Sequence, residues 1–527
     1  MRVMRRLLLG MLVSCAAPVA PAGGREIVVE ERSIAELQTM MSSGEASSVD
    51  LVSAYRRRID AMDRKGPTLR SVIALNPDAV AQARALDVER KAGRVRGPLH
   101  GIPVLVKDNI ETLDPVATTA GSLALRDNVT HRDAPVVAQL RLAGAVILGK
   151  TNLSEWANIR STRAMSGWSA VGGLVKNPYV LDRTACGSSS GSGAGVAASF
   201  AAAAVGTETD GSVSCPASMN GLVGLKPSVG LVSRTHVVPI SHSQDTAGPM
   251  ARSVRDVAVM LSAMVGGDPA DAPGGEAKDY AAGLSPGALA GMRVGVIRPE
   301  LSPDLAVKYQ AALDVLVAAG AVLVDVEPPK TEELGASELV VLTTELRVDM
   351  NRYLSTTPPA VKTRTLADLI AFDRANAAAE MPFFGQEIFD DAEKTKGLDD
   401  PDYRAARARS LRLAGAEGID AMLTAKNVKV LVEPTTGPAW LSDPVHGDQF
   451  VGPYAAPLPA IAGYPHLTVP MGLVRGLPVG LSFIAGRYAE ATVLGAGYAY
   501  EQRAKARVPP TYAPTVKVSP AGMDAAR

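Results

Sequence analysis

An α/β fold is what this 527-residue sequence predicts, on three observations. Two serine-headed segments near the N-terminus have the pattern that opens helices. From Gly97 onward, short apolar runs punctuated by glycine and proline have the texture of buried strands. After residue 290, strand-like and helix-like stretches alternate, which extends a sheet while packing helices on it. No fixed-period repeat or heptad run interrupts the pattern. A single continuous domain over residues 23–527 is therefore expected, long enough to bury a large core without staples.

The first 22 residues are set apart from that domain. Arg2, Arg5 and Arg6 precede an apolar run at 7–13, and small residues close the segment at Ala20-Pro21-Ala22. A basic head, a short apolar middle and a small-residue end are the parts of an export signal. The run is too short to span a bilayer, so cleavage behind Ala22 would yield a periplasmic or secreted protein. Leu12-Val13-Ser14-Cys15 also fits a lipoprotein signal, in which a lipidated Cys15 holds the chain on a membrane.

N-terminal helices follow over about 33–93. Ser33-x-x-Glu36 and Ser47-x-x-Asp50 each read as a capping box. Leu51, Tyr55, Ile59 and Met62 recur at three- and four-residue spacing, which places them on one buried face. Asn76-Pro77 reads as the start of a third helix, with Pro77 at the first helical position. The core spans about 97–265, with apolar runs at 102–106, 145–148 and 201–205 read as buried strands or helix ends. A stretch rich in Gly, Pro, Asp and Ala at 266–291 reads as a surface excursion. The C-terminal part, about 290–505, resumes with a strand at 292–297, a helix at 303–319 and a strand at 321–326. The N-terminal helices and the region after Pro329 are expected to pack on the outside of the sheet.

Charge narrows the function. Lysine plus arginine equals aspartate plus glutamate, at 54 each, so no broad field attracts nucleic acid or an anionic membrane. A small neutral or zwitterionic substrate fits better. Beyond Cys15 only Cys186 and Cys215 remain, too few for a disulfide-built scaffold; both are expected to be packed, free thiols. No Cys/His spacing and no His-Glu-x-x-His string supports a metal site.

The densest chemical signal is Cys186-Gly187-Ser188-Ser189-Ser190-Gly191-Ser192-Gly193, followed later by Gly206-Thr207-Glu208-Thr209-Asp210-Gly211-Ser212. Alone, a Gly/Ser run reads as a flexible linker. This one leads into the uncharged, alanine-rich stretch 194–205, which must be buried. Glycines ahead of a helix bring backbone N–H groups within reach of an anionic intermediate. The run also satisfies a Gly-x-Ser-x-Gly nucleophile elbow centred on Ser189, whose triad would need a later acid and then a histidine. His236, His242, His446 and His466 are available, none in a distinctive setting.

Gly97-Pro98-Leu99-His100-Gly101-Ile102-Pro103-Val104-Leu105-Val106-Lys107-Asp108-Asn109 resembles the lysine motif of the amidase signature family, and the Ser/Gly region resembles its serine motif. Gly149-Lys150-Thr151-Asn152, Gly224-Leu225-Lys226-Pro227-Ser228 and Asp245-Thr246-Ala247-Gly248-Pro249-Met250-Ala251-Arg252 extend the likeness. Ala462-Gly463-Tyr464-Pro465, Thr468-Val469-Pro470 and Gly476-Leu477-Pro478-Val479-Gly480 carry it to the C-terminal part. The resemblance implies the amidase signature fold, a mixed β-sheet core covered by helices on both faces.

It further implies hydrolysis of a carboxamide to carboxylate and ammonia by a Ser–Ser–Lys relay. Ser212 would be the acylated nucleophile, Ser188 the bridging serine and Lys107 the base. The backbone N–H groups of Thr209, Asp210, Gly211 and Ser212 would form the oxyanion hole, with Gly187 and Ser189 supporting the motif. In the family the bridging serine follows a cis peptide bond, here Gly187-Ser188. A lysine acts as a base only when burial lowers its proton affinity, and Lys107 ends an apolar run that delivers it inward; a surface lysine paired with Asp108 is the competing reading.

Two positions depart from the commonest family pattern: Asp210 stands where many members have the first of two glycines, and Ser214 where many have arginine. With Glu155-Trp156-Ala157-Asn158, Ser166-Gly167-Trp168 and Glu433-Pro434-Thr435-Thr436-Gly437, the chain most resembles the peptide amidase branch, which implies action on the C-terminal amide of peptides. Small aliphatic, aryl or acyl amides are the alternative substrates. A glutaminase-type amidotransferase subunit fits the export segment poorly, and a non-catalytic binding protein would not need all three relay residues. A small amide or short peptide substrate is thus expected, with no cofactor, nucleic acid or obligate protein partner.

Overall fold

The computed structural model describes residues 27–329 and 333–516, so residues 1–22, read above as an export signal, and with them Cys15, lie outside the described residues. Both capping boxes form. Ser33 accepts from the Glu36 backbone and Glu36 returns a bond to the Ser33 N–H, opening helix Ile34–Ser42; Ser47 and Asp50 do the same for Ser48–Ile59. Such caps stabilise a helix by about 1 kcal/mol each. Leu51, Tyr55 and Ile59 form the buried face as their spacing requires, whereas Met62 falls past the end of the α-helix, in a wider turn at 60–64, and is only half-buried. The third helix, Ala79–Lys91, begins two residues after Pro77. Asn76 is the reason: its carbonyl oxygen accepts from the Asp78 N–H, and its amide donates to Ile147 O and Asp114, holding 76–78 as a turn.

Among the described residues thirteen strands follow in chain order: β1 Val72–Leu75, β2 Pro103–Lys107, β3 Val146–Thr151, β4 Trp168–Ser169, β5 Gly173–Leu174, β6 Ala203–Glu208, β7 Val223–Lys226, β8 Thr246–Ala251, β9 Arg293–Val296, β10 Val322–Asp325, β11 Val430–Pro434, β12 His466–Val474 and β13 Leu477–Ile484. Strands β4 and β5 pair as a small separate ribbon. The other eleven form one mixed sheet in the order β1-β3-β2-β6-β8-β7-β12-β13-β11-β9-β10. Parallel pairs join β3, β2 and β6 toward one end and β11, β9 and β10 at the other, while the pairs from β6 through β11 between them are antiparallel. The wholly buried runs of β2, β3 and β6 show why these strands read as continuous apolar stretches: both faces are covered, as they are in β7, β8 and β13. Helices Ser190–Ala197 and Ser214–Met219 pack on each other and on the sheet; Val254–Met264, Pro303–Ala318 and Glu490–Ala504 form a second packed group on it.

The expectation that everything after Pro329 lies outside holds only in part. Helices from Leu334–Ser355 to Asp420–Ala425 flank the sheet, and Leu346, Met350 and Leu354 pack with Leu125 and Trp156. Strands β11, β12 and β13 instead return to its middle, where β12 pairs with β7. Their glycine- and proline-bounded apolar runs, such as 477–484 behind the Arg475-Gly476 turn, are interior strand sequences.

Candidate active site

Strand β2 ends on Lys107, and strand alternation sends its side chain away from that of Asp108. Lys107 is fully buried, and its Nζ donates to Ser188 Oγ at 2.7 Å, Thr207 Oγ1 at 2.8 Å and Thr207 O at 3.3 Å. Asp108 accepts instead from Thr119 and lies 3.5 Å from Lys150 Nζ, which removes the surface-pair reading. Burial pushes the Lys107 amine down to about 7, against the opposing pull of Asp245 and Glu208. A shift of that size is on the order of 5 kcal/mol against the charged form.

Ser188 is presented by a sharp turn. Cys186 has a left-handed backbone (φ 55°), the Gly187–Ser188 peptide is cis, and Ser188 O accepts from the Ser154 N–H at 3.0 Å. A Cβ on Gly187 would fall 2.1 Å from Ser154 Oγ, so glycine is required by contact. Ser189 is committed to structure: its Oγ donates to Thr207 O at 3.0 Å and accepts from Thr207 N at 3.2 Å, and its N–H donates to Ser212 O at 3.1 Å. It pins the bridging-serine turn to β6 and to the segment holding Ser212.

That segment leaves β6 after Glu208 and turns through Gly211, where the φ of 79° is left-handed and an added Cβ would fall 1.8 Å from Tyr454 Oη, so a side chain is excluded. Glu208 accepts from the N–H groups of Val213 and Ser214, both at 2.8 Å, at the start of helix Ser214–Met219. Thr209 Oγ1 donates to Asp245, and Tyr454 Oη donates to Asp210 O at 3.0 Å. These contacts leave the N–H groups of Asp210, Gly211 and Ser212 without an acceptor among the described residues. Ser212 Oγ likewise has no hydrogen bond among them, and Ser212 opens on a cleft lined by Asn158, Ile159, Ile240, Leu342, Phe450 and Tyr454. A serine beside three undirected N–H donors, near a lysine held close to neutrality, is equipped to form and stabilise a tetrahedral oxyanion.

Residues 50–494 match the Amidase family. The chain belongs to that family. A "Probable amidase" of Arabidopsis thaliana is 37% identical over 505 residues, 92% of each chain. The native peptide amidase of Stenotrophomonas maltophilia superposes with a TM-score of 0.88 at 50% identity, over 92% of this chain and 99% of that one. A glutamyl-tRNA(Gln) amidotransferase subunit of Roseiflexus castenholzii is 34% identical, covering 89% of this chain and 95% of its own. This amidase is thus a hydrolase acting on amide bonds.

The expectation of two free thiols is corrected by the same site. Cys186 and Cys215 form a disulfide, with Cα atoms 6.0 Å apart. Sequence separation concealed this: the turn at Cys186 and the helix behind Ser212 are brought together by the Ser189–Ser212 contact, so the bond clamps the two serine segments.

None of the histidines in the elbow reading completes a triad in the amidase. His466 is buried in β12 against Ser482, and burial with nearby Lys226 pushes it down to about 3. His242 pairs with Asp349, His446 with Asp443, and His236 lies 4.0 Å from Glu111. His242, Glu345 and Asp349 bring ligand-type atoms together, but Glu345 already accepts from Ser243 and Tyr403. Thr207, Ser154, Asp245 and Tyr454 escaped the sequence reading as functional supports. Asp245 opens a family-like motif, whereas Tyr454 carries no motif signal.

Proposed function

We propose that this amidase removes the C-terminal carboxamide of peptides, through an acyl-enzyme on Ser212. The observation that carries the mechanism is the 2.7 Å contact of buried Lys107 Nζ with Ser188 Oγ. Neutral Lys107 takes the Ser188 proton as Ser188 takes that of Ser212, and Ser212 Oγ bonds to the amide carbon. The free N–H groups of Asp210, Gly211 and Ser212, three of the four in the segment that starts at Thr209, hold the oxyanion, where losing one donor costs on the order of 3 kcal/mol. Collapse breaks the C–N bond, and the proton returns through Ser188 to the departing nitrogen, releasing ammonia. Water, deprotonated by the same relay, then cleaves the ester to a carboxylate and restores Ser212.

The peptide substrate is supported by the 50% identity to the Stenotrophomonas maltophilia peptide amidase and by the apolar cleft walls Ile159, Ile240, Leu342 and Phe450. The test is ammonia release by the purified single chain from amidated peptides, aliphatic amides, acyl-amino-acid amides and glutamine. Amidated peptides are expected to turn over fastest; preference for glutamine would favour the amidotransferase-like reading. We further propose that residues 1–22 direct export. The disulfide fits an oxidising destination. Sequencing of the mature N-terminus tests this: a start at Gly23 would support it, and a lipid on Cys15 would replace it by membrane anchoring.

A further inference from the structure

The mechanism above uses the main chain of Asp210 and leaves its carboxyl without a task. Asp210 lines the Ser212 cleft, and its Oδ1 is buried without a hydrogen-bond partner. Asn158 lines the same cleft, and its Oδ1 is also buried and unpaired. A buried acceptor with no partner is destabilising unless a ligand supplies the donor. Asn158 ends a run of three left-handed residues, with Trp156, Ala157 and Asn158 at φ 51°, 54° and 75°. Non-glycine residues hold such conformations where the surroundings impose them, commonly at ligand sites. Asp210 is fixed from the other side by the Tyr454 bond to its carbonyl.

We propose that Asp210 and Asn158 recognise the –NH2 group of the substrate, each accepting one of its two N–H bonds, and so select primary carboxamides over peptide bonds and esters. The proposal rests on Ser212 being the nucleophile of this cleft. A primary carboxamide offers two N–H donors, a substituted amide one and an ester none, so only the first satisfies both acceptors. Rejection of an analogue lacking a donor is strong when it leaves buried acceptors unpaired. Burial and the neighbouring Glu338 and Glu208 push the Asp210 carboxyl well above the usual range. That shift favours the protonated acid, which still accepts through its carbonyl oxygen.

The experiment compares kcat/KM for one peptide as its C-terminal amide, N-methylamide and methyl ester, in the wild type and in Asp210→Ala, Asp210→Asn and Asn158→Gly. Glycine at 158 removes the side chain while tolerating the positive φ. Asp210→Ala and Asn158→Gly are expected to raise the ester-to-amide ratio of kcat/KM about 10- to 100-fold. Asp210→Asn, which keeps a carbonyl acceptor, should stay within about tenfold of the wild-type ratio. An unchanged ratio in Asp210→Ala and Asn158→Gly, with amide and ester falling together, would overturn the proposal by showing that the residues only hold the loop. So would Asp210→Asn shifting the ratio as far as Asp210→Ala. Failure of the underlying reading is distinct: the wild type would then release no ammonia from the amide, or Ser212→Ala would retain ester turnover.

Discussion

At residue scale, the proposed relay requires Lys107 to lose its proton before it can act as the base. Burial lowers it to about 7, and the neutral amine is the basic form. Activity should therefore rise with pH, half-maximal in kcat/KM near pH 7, and fall away below as the amine becomes charged. Lys107→Arg should not rescue Lys107→Ala, because a guanidinium stays protonated across that range; both should lose about 100-fold or more. The two candidate serines separate just as sharply. Ser212→Ala should abolish turnover, whereas Ser189→Ala loses hydrogen bonds to Thr207 and should keep activity within about tenfold, with a stability cost of roughly 1–3 kcal/mol. Acylation of Ser189, detected by mass spectrometry after trapping, would contradict this. Lys107, Ser188 and Ser212 were legible because each sits in a dense motif. Thr207 as a partner of Lys107, and Tyr454 over Gly211, were not, because their roles arise from contacts between distant segments.

At the scale of elements, the two serines sit on different supports: a turn ahead of helix Ser190–Ala197 and a turn ahead of helix Ser214–Met219. The Ser189–Ser212 bond aligns them, and the Cys186–Cys215 disulfide closes a chain separation of 29 residues around them. By loop entropy such a link stabilises by roughly 3–4 kcal/mol. Thiol titration of the unfolded, unreduced protein should find neither cysteine free, and a Cys186→Ser/Cys215→Ser variant should unfold in less denaturant by about that free energy. Two free thiols, or an unchanged midpoint, would show the bond absent from the working enzyme. Helix starts at Ser33 and Ser47 were readable because capping is local; the disulfide was not, because spacing says nothing of which loops meet in space.

At the scale of the molecule, the sheet decides how much of the chain is needed. The alternation of runs marked an α/β fold, but period and apolarity do not order strands, so the return of β11, β12 and β13 to the middle was invisible in them. Its consequence is that the signature motifs up to residue 265 do not make a free-standing unit. Strand β7 pairs with β8 on one side and with β12 on the other, 240 positions along the chain between Lys226 and its partner His466. A fragment of residues 27–290 would keep Lys107, Ser188 and Ser212, yet it would lose five strands, β9 to β13, and bare the fully buried β7 as an edge. Exposed apolar edges pair with other chains. The fragment should therefore be insoluble or aggregate and release no ammonia, while the full chain should unfold in one cooperative transition by calorimetry. A soluble, protease-resistant fragment, or two separate transitions in the full chain, would mean that the two halves of the sheet hold themselves together independently.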